Sequence, residues 1–136
     1  MNNKITYLTS FEDINQYILT DFFVGWSNKP KMETLQQILV ASKYKVIAID
    51  TTKNKIVGFI YATTDNYLSA YIPLLEVLPE YQKKGIGTKL LEILLEQLAE
   101  FYMIDLSCDS SLIEYYKTKG FQQSNAMIIR NYNKIN

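Results

Sequence analysis

Two glycines separated by one residue, Gly85 and Gly87, stand at the start of the most regular helical pattern in this 136-residue sequence. Glycine lets a backbone approach a ligand closely, and the first amides of a helix have no intrahelical partner and lie at the positive end of the helix dipole. The residues before the glycines form a predicted strand that Pro79 ends, because proline cannot donate to a β-ladder. Three lysines add positive charge beside the glycines: Lys83, Lys84 and Lys89. This order of strand, glycine loop and helix predicts a site for a phosphate-bearing ligand.

The glycine loop does not match the common phosphate-binding motifs. A Walker A loop needs Gly-x-x-x-x-Gly-Lys-Ser/Thr, and the Rossmann fingerprint needs three glycines after the first strand. Here two glycines occur late in the chain. From the residues alone, two interpretations stay open: a site for a diphosphate-bearing ligand, and a glycine-rich turn that only starts a helix.

Histidine is absent from the sequence, and cysteine occurs once, as Cys108. The absence of histidine excludes a histidine general base, a Ser-His-Asp or Cys-His nucleophile and a histidine-ligated metal. A single cysteine excludes an intrachain disulfide and a structural zinc site. We expect it to be a small core residue of a protein from a reducing compartment. An enzyme of this composition must work with carboxylates, tyrosines, amines, backbone dipoles or a bound cofactor, and we expect no metal.

Hydrophobic periodicity predicts elements in the order β-α-α-β-β-β-α-β-α-β, a mixed α/β sheet with helices on its faces. The predicted strands cover 5–8, 46–49, 56–63, 69–77, 103–107 and 126–132. The predicted helices cover 11–18, 32–41, 88–101 and a short stretch from Asp109 or Ser110 to Gly120. The polar turn at 50–55 predicts a hairpin between the second and third strands. A chain of this length is expected to be one domain, residues 1–136.

The charges of the sequence balance, with fourteen basic and fourteen acidic side chains. This leaves no charge pattern for non-specific binding of nucleic acid or of a membrane surface. The polar residues 1–11 lack the apolar segment of a signal peptide, and the apolar runs are far shorter than the roughly 20 residues that span a bilayer. The expected location is the cytoplasm, with no nucleic-acid or membrane partner.

Two blocks of the sequence resemble signatures of one enzyme family. The acetyl-CoA signature of the GNAT N-acetyltransferase superfamily, Gln/Arg-x-x-Gly-x-Gly/Ala at the start of the central helix, resembles Val77-x-Pro79-x-Tyr81-Gln82-x-x-Gly85-Ile86-Gly87. The segment from Glu114 to Phe121 is similar to the family's Phe-Tyr-x-x-x-Gly-Phe block, with Tyr115 in the phenylalanine position. The resemblance covers essentially the whole chain. It implies the GNAT fold, a mixed and mostly antiparallel sheet of six to seven strands flanked by about four helices.

The resemblance implies which residues bind acetyl-CoA. The exposed backbone of the strand end, at Leu75 and Val77, would bind the pantetheine arm, and an amide near Val77 would polarise the thioester carbonyl, as backbone dipoles can without a titratable group. The following amides would hold the pyrophosphate: Gln82, Lys83, Lys84, Gly85, Ile86, Gly87 and Thr88.

The resemblance also implies a direct attack of an amine on the thioester. Tyr116 stands at the family tyrosine that serves as general acid for the leaving thiolate, and its alternative is a core aromatic residue. Glu76 is a candidate general base, and its alternative is a solvated or structural carboxylate. Tyr71 stands where some members carry a catalytic glutamate, and we assign it to substrate binding.

The loop around Gly25 and Trp26 lies where members of this fold place acceptor-binding residues. We expect Trp26, the only tryptophan, to line the acceptor pocket, and its alternative is a packing role. Asp65 is expected to be a turn residue, and its alternative is a contact to the substrate. Asp109, where many members carry an asparagine, is expected to cap a helix.

Two functions from different classes follow from these interpretations. The first is an acetyl-CoA-dependent N-acetyltransferase that acts on an unidentified primary amine. The second is a catalytically weak or inactive module that binds or senses acetyl-CoA. A nucleotide-binding protein is disfavoured, because the loop lacks a Mg²⁺-binding arrangement beside it. A homodimer is possible, and the sequence leaves the oligomeric state open.

Overall fold

The fold is a mixed α/β sheet with a helix packed across one face, in a computed structural model that describes residues 4–135. Five strands were found: β1 (Ile5–Leu8), β2 (Tyr44–Asp50), β3 (Lys55–Thr64), β4 (Ser69–Val77) and β5 (Met103–Leu106). Three α-helices were found: α1 (Met32–Ala41), α2 (Ile86–Gln97) and α3 (Ile113–Thr118). Within these residues no helix is both long and apolar enough to cross a bilayer.

The strands form one sheet in chain order, from β1 to β5. The first four are antiparallel to their neighbours, and β5 runs parallel to β4. Asp50 pairs with Lys55 across the turn between β2 and β3, so the predicted hairpin is confirmed. β5 can run parallel to β4 because α2 lies between them in the chain and provides the crossover connection that parallel neighbours need.

The core lies on both faces of β3, whose residues 56–62 are buried without alternation. A Cβ added to Gly58 would lie 3.1 Å from Leu90 of α2, so this residue faces the helix. Phe59 points to the other face, where its ring packs edge-to-face on the fully buried Phe22 at 5.1 Å. An unbroken buried run is what a strand covered on both sides needs.

The predicted helix over 11–18 is wrong. The structure has only a 3₁₀ turn at Ile14–Gln16, and the Asp13 side chain accepts the amide of Asn15 at its start. Ile18 is extended and bridges to Lys55, through hydrogen bonds to Asn54 and from Ile56. Phe11, Ile14 and Tyr17 pack in or against the core, and this tertiary packing outweighs the helical preference of the segment.

The predicted strand over 126–132 is also absent, since residues 122–131 adopt no regular structure. The described part of the chain therefore has five strands and three α-helices, and the expected six to seven strands and four helices are not confirmed. The predicted helix over 88–101 begins two residues earlier and ends at Gln97.

Two smaller expectations near β5 are wrong. Cys108 is exposed, because β5 ends before it at Leu106, so it is not a core residue. Asp109 occupies the N-cap position of a 3₁₀ turn, but its side chain makes no capping hydrogen bond. Gly120 does end the helical segment in the left-handed conformation, with φ of 96°, as its position predicts.

Candidate active site

The central feature of the site is that β4 loses one neighbour halfway along its length. β5 pairs with β4 only from Ser69 to Ile72, whereas β3 stays paired with β4 as far as Val77. One backbone edge of β4 over 73–77, the open half of β4, therefore faces no strand and is free to bond an extended ligand. Leu75 and Val77, the predicted pantetheine contacts, lie in this open half.

The loop after β4 folds back on the strand end. The Gln82 side chain donates from Nε2 to the Val77 carbonyl at 2.9 Å, and the Gln82 amide donates to the Pro79 carbonyl at 3.3 Å. Gln82 therefore shapes the loop, and its own amide is already used. The hydrogen bond to Pro79 therefore disfavours the prediction that the Gln82 amide binds pyrophosphate.

The next six amides, from Lys83 to Thr88, have no backbone acceptor in the described chain. Lys83 and Gly85 are left-handed, with φ of 62° and 84°, and Gly85 is the N-cap of α2. Successive amides in such a turn make an anion-binding concavity, and the helix dipole adds to it. A Cβ on Gly87 would meet only Val77, at 3.7 Å, so the space between the helix start and the strand end is open.

A buried hydrogen bond holds the start of this loop in place. The Tyr81 hydroxyl donates to Asp50 Oδ2 at 2.6 Å, and both residues are buried. Thr52 donates to the other carboxylate oxygen through its amide and its hydroxyl. The hydroxyls of Thr52 and Tyr81 lower the pKa of Asp50, and the same Asp50 bond, with burial, raises the pKa of Tyr81 to about 12.

Gly58 is a residue of the site that the sequence reading missed. It pairs with Val77 across the sheet, and an added Cβ would lie 3.1 Å from Leu90 and 3.3 Å from the Val77 side chain. The missing side chain lets the start of α2 lie close to the end of β4. A glycine within a β-branched run is the sequence signal for such a close approach.

The Glu76 carboxylate binds a distant loop. Its oxygens accept the Phe23 amide at 3.0 and 2.9 Å, and Oε2 also accepts the Val24 amide at 3.3 Å. These bonds tie residues 21–26, which we call the Trp loop, to the open half of β4. Both oxygens of the predicted base are thus engaged by backbone donors.

The Trp loop has an unusual backbone. Asp21 and Phe23 have φ of 73° and 65°, and Gly25 has φ of 83°. Left-handed conformations in non-glycine residues persist where surrounding contacts hold them, and the bonds to Glu76 are such contacts. Trp26 packs on Phe23, with ring centroids 5.0 Å apart, and stays 43% exposed. Trp26, which is predicted to line the acceptor pocket, therefore lies on a loop that is hydrogen-bonded to β4, the strand whose end is predicted to bind the thioester.

The two motif blocks meet at one hydrogen bond. The hydroxyls of Thr88, in the first turn of α2, and Tyr115, in α3, are 2.7 Å apart. The sequence placed Tyr115 in the second block without a role. The structure shows that it links α3 to the helix start beside the free amides.

Tyr116 is half-buried in α3, and its ring packs edge-to-face on Tyr115 and Phe121. Burial, with smaller effects of Tyr115 and Cys108, raises the pKa of Tyr116 to about 12. The hydroxyl is therefore protonated at neutral pH. Tyr116 and Cys108 line a cavity of 240 Å³, which we call the Tyr116 cavity, together with residues 121–124 and the end of β5.

The predicted substrate residue Tyr71 faces a cavity beside β5. Its hydroxyl donates to Ser107 at 3.2 Å, and its ring lines a larger cavity beside β5 that no Trp-loop residue lines. Asp65 is a turn residue as expected, since its carboxylate accepts three backbone amides, those of Tyr67, Leu68 and Ser69. These bonds hold the pKa of Asp65 well below its usual range.

The arrangement can bind an extended ligand that ends in a diphosphate. The open half of β4, the unbonded amides of residues 83–88 and the first turn of α2 follow one another in the sequence. Over residues 4–135 no cluster of three or more cysteine, aspartate and glutamate side chains could hold a metal ion. The chemistry available is hydrogen bonding by backbone dipoles, tyrosines and carboxylates.

Comparisons with known proteins agree on the class. The acetyltransferase (GNAT) family profile matches residues 11–121. The chain is 33% identical over 127 residues to an N-acetyltransferase of Pyropia yezoensis named ycf52, itself uncharacterised, and the match covers 87% of this chain and 71% of that protein.

Solved structures give the same result. A protein of Deinococcus radiodurans R1 assigned to the acetyltransferases has a TM-score of 0.87 and 37% identity, over 95% of this chain and 90% of that one. The Arabidopsis thaliana protein Naa50, in complex with the bisubstrate analogue CoA-Ac-MVNAL, shares the fold, with a TM-score of 0.64 and 20% identity over 89% of this chain and 85% of its own.

The chain therefore belongs to the GNAT family of N-acetyltransferases. It is an acetyltransferase of that class, with a GNAT-like α/β fold built on a five-stranded sheet. The family uses acetyl-CoA as its cosubstrate.

Proposed function

We propose that this protein transfers an acetyl group from acetyl-CoA to a primary amine by direct attack of the amine on the thioester. The observation that carries the proposal is the run of unbonded amides from Lys83 to Thr88 directly after the open half of β4. An extended arm that pairs with a strand edge and ends in a pyrophosphate matches this order. We propose a cytoplasmic location for the reaction.

In this mechanism the negative charge that develops on the thioester oxygen is stabilised by a backbone amide near Val77. A fixed amide dipole in a site shielded from water stabilises such a charge without any titratable group. The peptide that follows Val77 is held at both of its polar groups, because Gln82 donates to the Val77 carbonyl and the Leu78 amide donates to the Val57 carbonyl, each at 2.9 Å. The Leu78 amide is therefore already used, which leaves the amide of Val77 itself for this role. A protein without histidine can therefore perform this step.

Tyr116 is proposed to donate a hydrogen bond to the leaving sulfur from the general-acid position. Its pKa of about 12 keeps the proton on the hydroxyl. A free thiol has a pKa of about 8.5, so complete transfer of the proton from Tyr116 to the thiolate is uphill. Donation of a hydrogen bond stabilises the leaving group without that transfer, and solvent can supply the proton afterwards.

Two roles are open for Glu76, general base and anchor of the Trp loop. The bonds to Phe23 and Val24 favour the anchor, because they use both oxygens. An ordered water or another carboxylate would then take the proton of the attacking ammonium. Trp26, on the anchored loop, is proposed to contact the acceptor.

The alternative is a module that binds acetyl-CoA without turnover. The specific observation in its favour is that Tyr71, the predicted substrate residue, lines a cavity beside β5 that no Trp-loop residue lines. Both proposals use the same free amides.

The first test is calorimetric titration of the protein with acetyl-CoA. We expect binding by the wild type, loss of binding in Gly87→Trp, and binding in Gly87→Ala. The indole would fill the space over the helix start, whereas one methyl group meets only Val77, at an ordinary 3.7 Å. A folded wild type that does not bind acetyl-CoA would contradict both the transferase and the sensor.

The second test separates the two functions. After a screen of primary amines for release of free CoA, we expect Tyr116→Phe to lower turnover by about 10²-fold while acetyl-CoA binding is kept. Tyr67→Phe, at a 91% exposed tyrosine, is the control and should have wild-type turnover. Because the pKa of Tyr116 is about 12, the pH dependence of turnover between pH 7 and 10 should be the same in wild type and Tyr116→Phe. Equal turnover of the two proteins would remove Tyr116 from the mechanism.

A further inference from the structure

The helix α3 is short and has few attachments to the rest of the fold. It spans Ile113–Thr118, six residues, and none of them is fully buried. A helix of this length is not stable by itself in water, so its position depends on the contacts that it makes. Because α3 carries Tyr116, the contacts that hold α3 also hold the hydroxyl proposed to bond the leaving sulfur.

One hydrogen bond joins α3 to another helix or strand in the described chain. It connects the hydroxyls of Tyr115 and Thr88, whose oxygens are 2.7 Å apart. The side-chain hydrogen bond and the ion pair of the other α3 residues stay within the helix. Tyr115 and Tyr116 also pack against the core as partly buried rings. The bond to Thr88 is therefore the directional attachment of α3.

Thr88 belongs to the proposed diphosphate site. It lies in the first turn of α2 and is the last of the six consecutive residues whose amides have no backbone acceptor. Its amide is free to bind a phosphate oxygen while its hydroxyl is bonded to Tyr115. A single residue can therefore contact the cofactor through its backbone and α3 through its side chain.

The ring of Tyr115 extends this contact to the reacting end of the site. Its centroid lies 5.1 Å from that of Tyr116, with an angle of 78° between the rings, and such an edge-to-face pair is attractive. Tyr116 packs in the same way on Phe121 and lines the Tyr116 cavity. Two contacts thus connect the Thr88 hydroxyl to the ring of Tyr116.

We propose that Tyr115 is a positioning residue that makes the placement of Tyr116 depend on the diphosphate of the cofactor. A phosphate oxygen that accepts the Thr88 amide stabilises the first turn of α2. The Tyr115 hydroxyl, bonded to Thr88, then holds α3 and the ring of Tyr116. Binding energy from the phosphate end, which takes no part in the reaction, is in this way used to place a group at the thioester.

The coupling rests on the proposed function, because it takes the free amides as the diphosphate site and Tyr116 as the donor to sulfur. Its test therefore measures binding at the amides and the state of α3 separately, in the same samples.

Four variants isolate the bond between the two hydroxyls. Tyr115→Phe removes one hydroxyl and keeps the ring that packs on Tyr116. Thr88→Val removes the other hydroxyl and keeps the amide, so we expect the same effect. Thr88→Ser keeps a hydroxyl at this place and should behave as the wild type. Tyr67→Phe, at an exposed tyrosine, is the control for the loss of a tyrosine hydroxyl.

The first experiment measures amide hydrogen exchange with and without 3′-phosphoadenosine 5′-diphosphate, the nucleotide half of CoA, which carries the phosphates but no pantetheine arm. In the wild type we expect slower exchange at the start of α2 and also in α3, in α3 by about twofold to tenfold, the contribution of one hydrogen bond. In Tyr115→Phe and Thr88→Val we expect slower exchange at the start of α2 alone.

Two results would overturn the coupling and leave the transferase proposal intact. One is equal protection of α3 in wild type and Tyr115→Phe. The other is a wild type in which the nucleotide protects the start of α2 and leaves α3 unchanged. A wild type that binds neither this nucleotide nor acetyl-CoA would instead contradict the proposed function itself.

The second experiment measures turnover of acetyl-CoA with an acceptor found in the amine screen. We expect Tyr115→Phe to lower kcat by about twofold to tenfold without raising KM for acetyl-CoA, because the phosphate-binding amides are kept. In a Tyr116→Phe background the same substitution should have no further effect, since the hydroxyl that it positions is gone. An equal loss in both backgrounds would show that Tyr115 does not act through Tyr116 and would overturn the proposal.

Discussion

At the scale of single residues, Glu76 connects parts of the chain that are 53 residues apart. Its carboxylate lies in the open half of β4 and receives the amides of Phe23 and Val24. Val77, its neighbour, faces α2 through Gly87, and strand alternation places Glu76 on the opposite face. The loop after β4, residues 78–85, which we call the cofactor loop, and the Trp loop therefore approach β4 from different sides.

The variant Glu76→Gln tests the anchoring role. An amide keeps one acceptor oxygen but turns an NH₂ group toward backbone donors, so we expect the free energy of unfolding to fall by about 1–3 kcal/mol. The Trp loop should loosen, and iodide should quench the fluorescence of Trp26, the only tryptophan, more strongly. Glu80→Gln, at an exposed carboxylate two residues after Leu78, should change neither. Unchanged quenching together with lost acetyl transfer would instead assign Glu76 as the base.

At the scale of elements, the bond from Tyr81 to Asp50 attaches the cofactor loop to the end of β2. Tyr81 lies in the 3₁₀ turn Pro79–Tyr81 that separates β4 from the glycines. The loop is thus supported from the sheet rather than by its own hydrogen bonds alone, which leaves its amides available to a ligand.

The variant Tyr81→Phe should lower the free energy of unfolding by about 1–3 kcal/mol at pH 7, because one oxygen of the buried Asp50 loses its donor. The pKa of Asp50 is lowered in the folded protein from its ordinary 3.8. The stabilisation it brings is therefore complete above that pH and is lost as the pH falls through the folded pKa. The difference between wild type and Tyr81→Phe should narrow at pH 3.

Urea unfolding at pH 7 and pH 3 measures this difference, with Tyr67→Phe, at an exposed tyrosine, as the control. If the difference in unfolding free energy between wild type and Tyr81→Phe is the same at both pH values, the Tyr81 hydroxyl acts by packing and not through the Asp50 carboxylate.

Elements with a strong apolar pattern and clear ends were predictable from the sequence. The bounds of α1, Met32–Ala41, and of β4, Ser69–Val77, agree with the periodicity. The segment 11–18 has the same spacing, but it forms only a 3₁₀ turn at Ile14–Gln16 and an isolated β-bridge at Ile18. Periodicity reports which residues are buried and does not by itself decide between a helix and an irregular segment.

The candidate site was predictable where its residues are adjacent in sequence. The free amides from Lys83 to Thr88 and the left-handed Gly85 follow from local glycine chemistry. The roles of Glu76 and Gly58 were not predictable, because both depend on partners that only the folded sheet brings near. The same holds for Tyr71, whose neighbours are set by where β5 leaves β4.

At the scale of the whole molecule, the sheet leaves room for a ligand where β5 ends. The open half of β4 needs a strand to be missing on one side so that a ligand can take its place. The Tyr116 cavity and the larger cavity beside β5 share residues 121–124 and Ala126 as lining. The chain that follows α3 therefore forms a wall of both cavities.

The exposed Cys108 is a position at which the Tyr116 cavity can be modified chemically. It is the one thiol of the chain, and it opens into the same 240 Å³ cavity as Tyr116. A small electrophile would therefore label the protein at a single position, and a fragment that fits the cavity would be retained there by its covalent bond. A library of such fragments, read by intact mass, would survey the shape and polarity of this pocket before any acceptor amine is known.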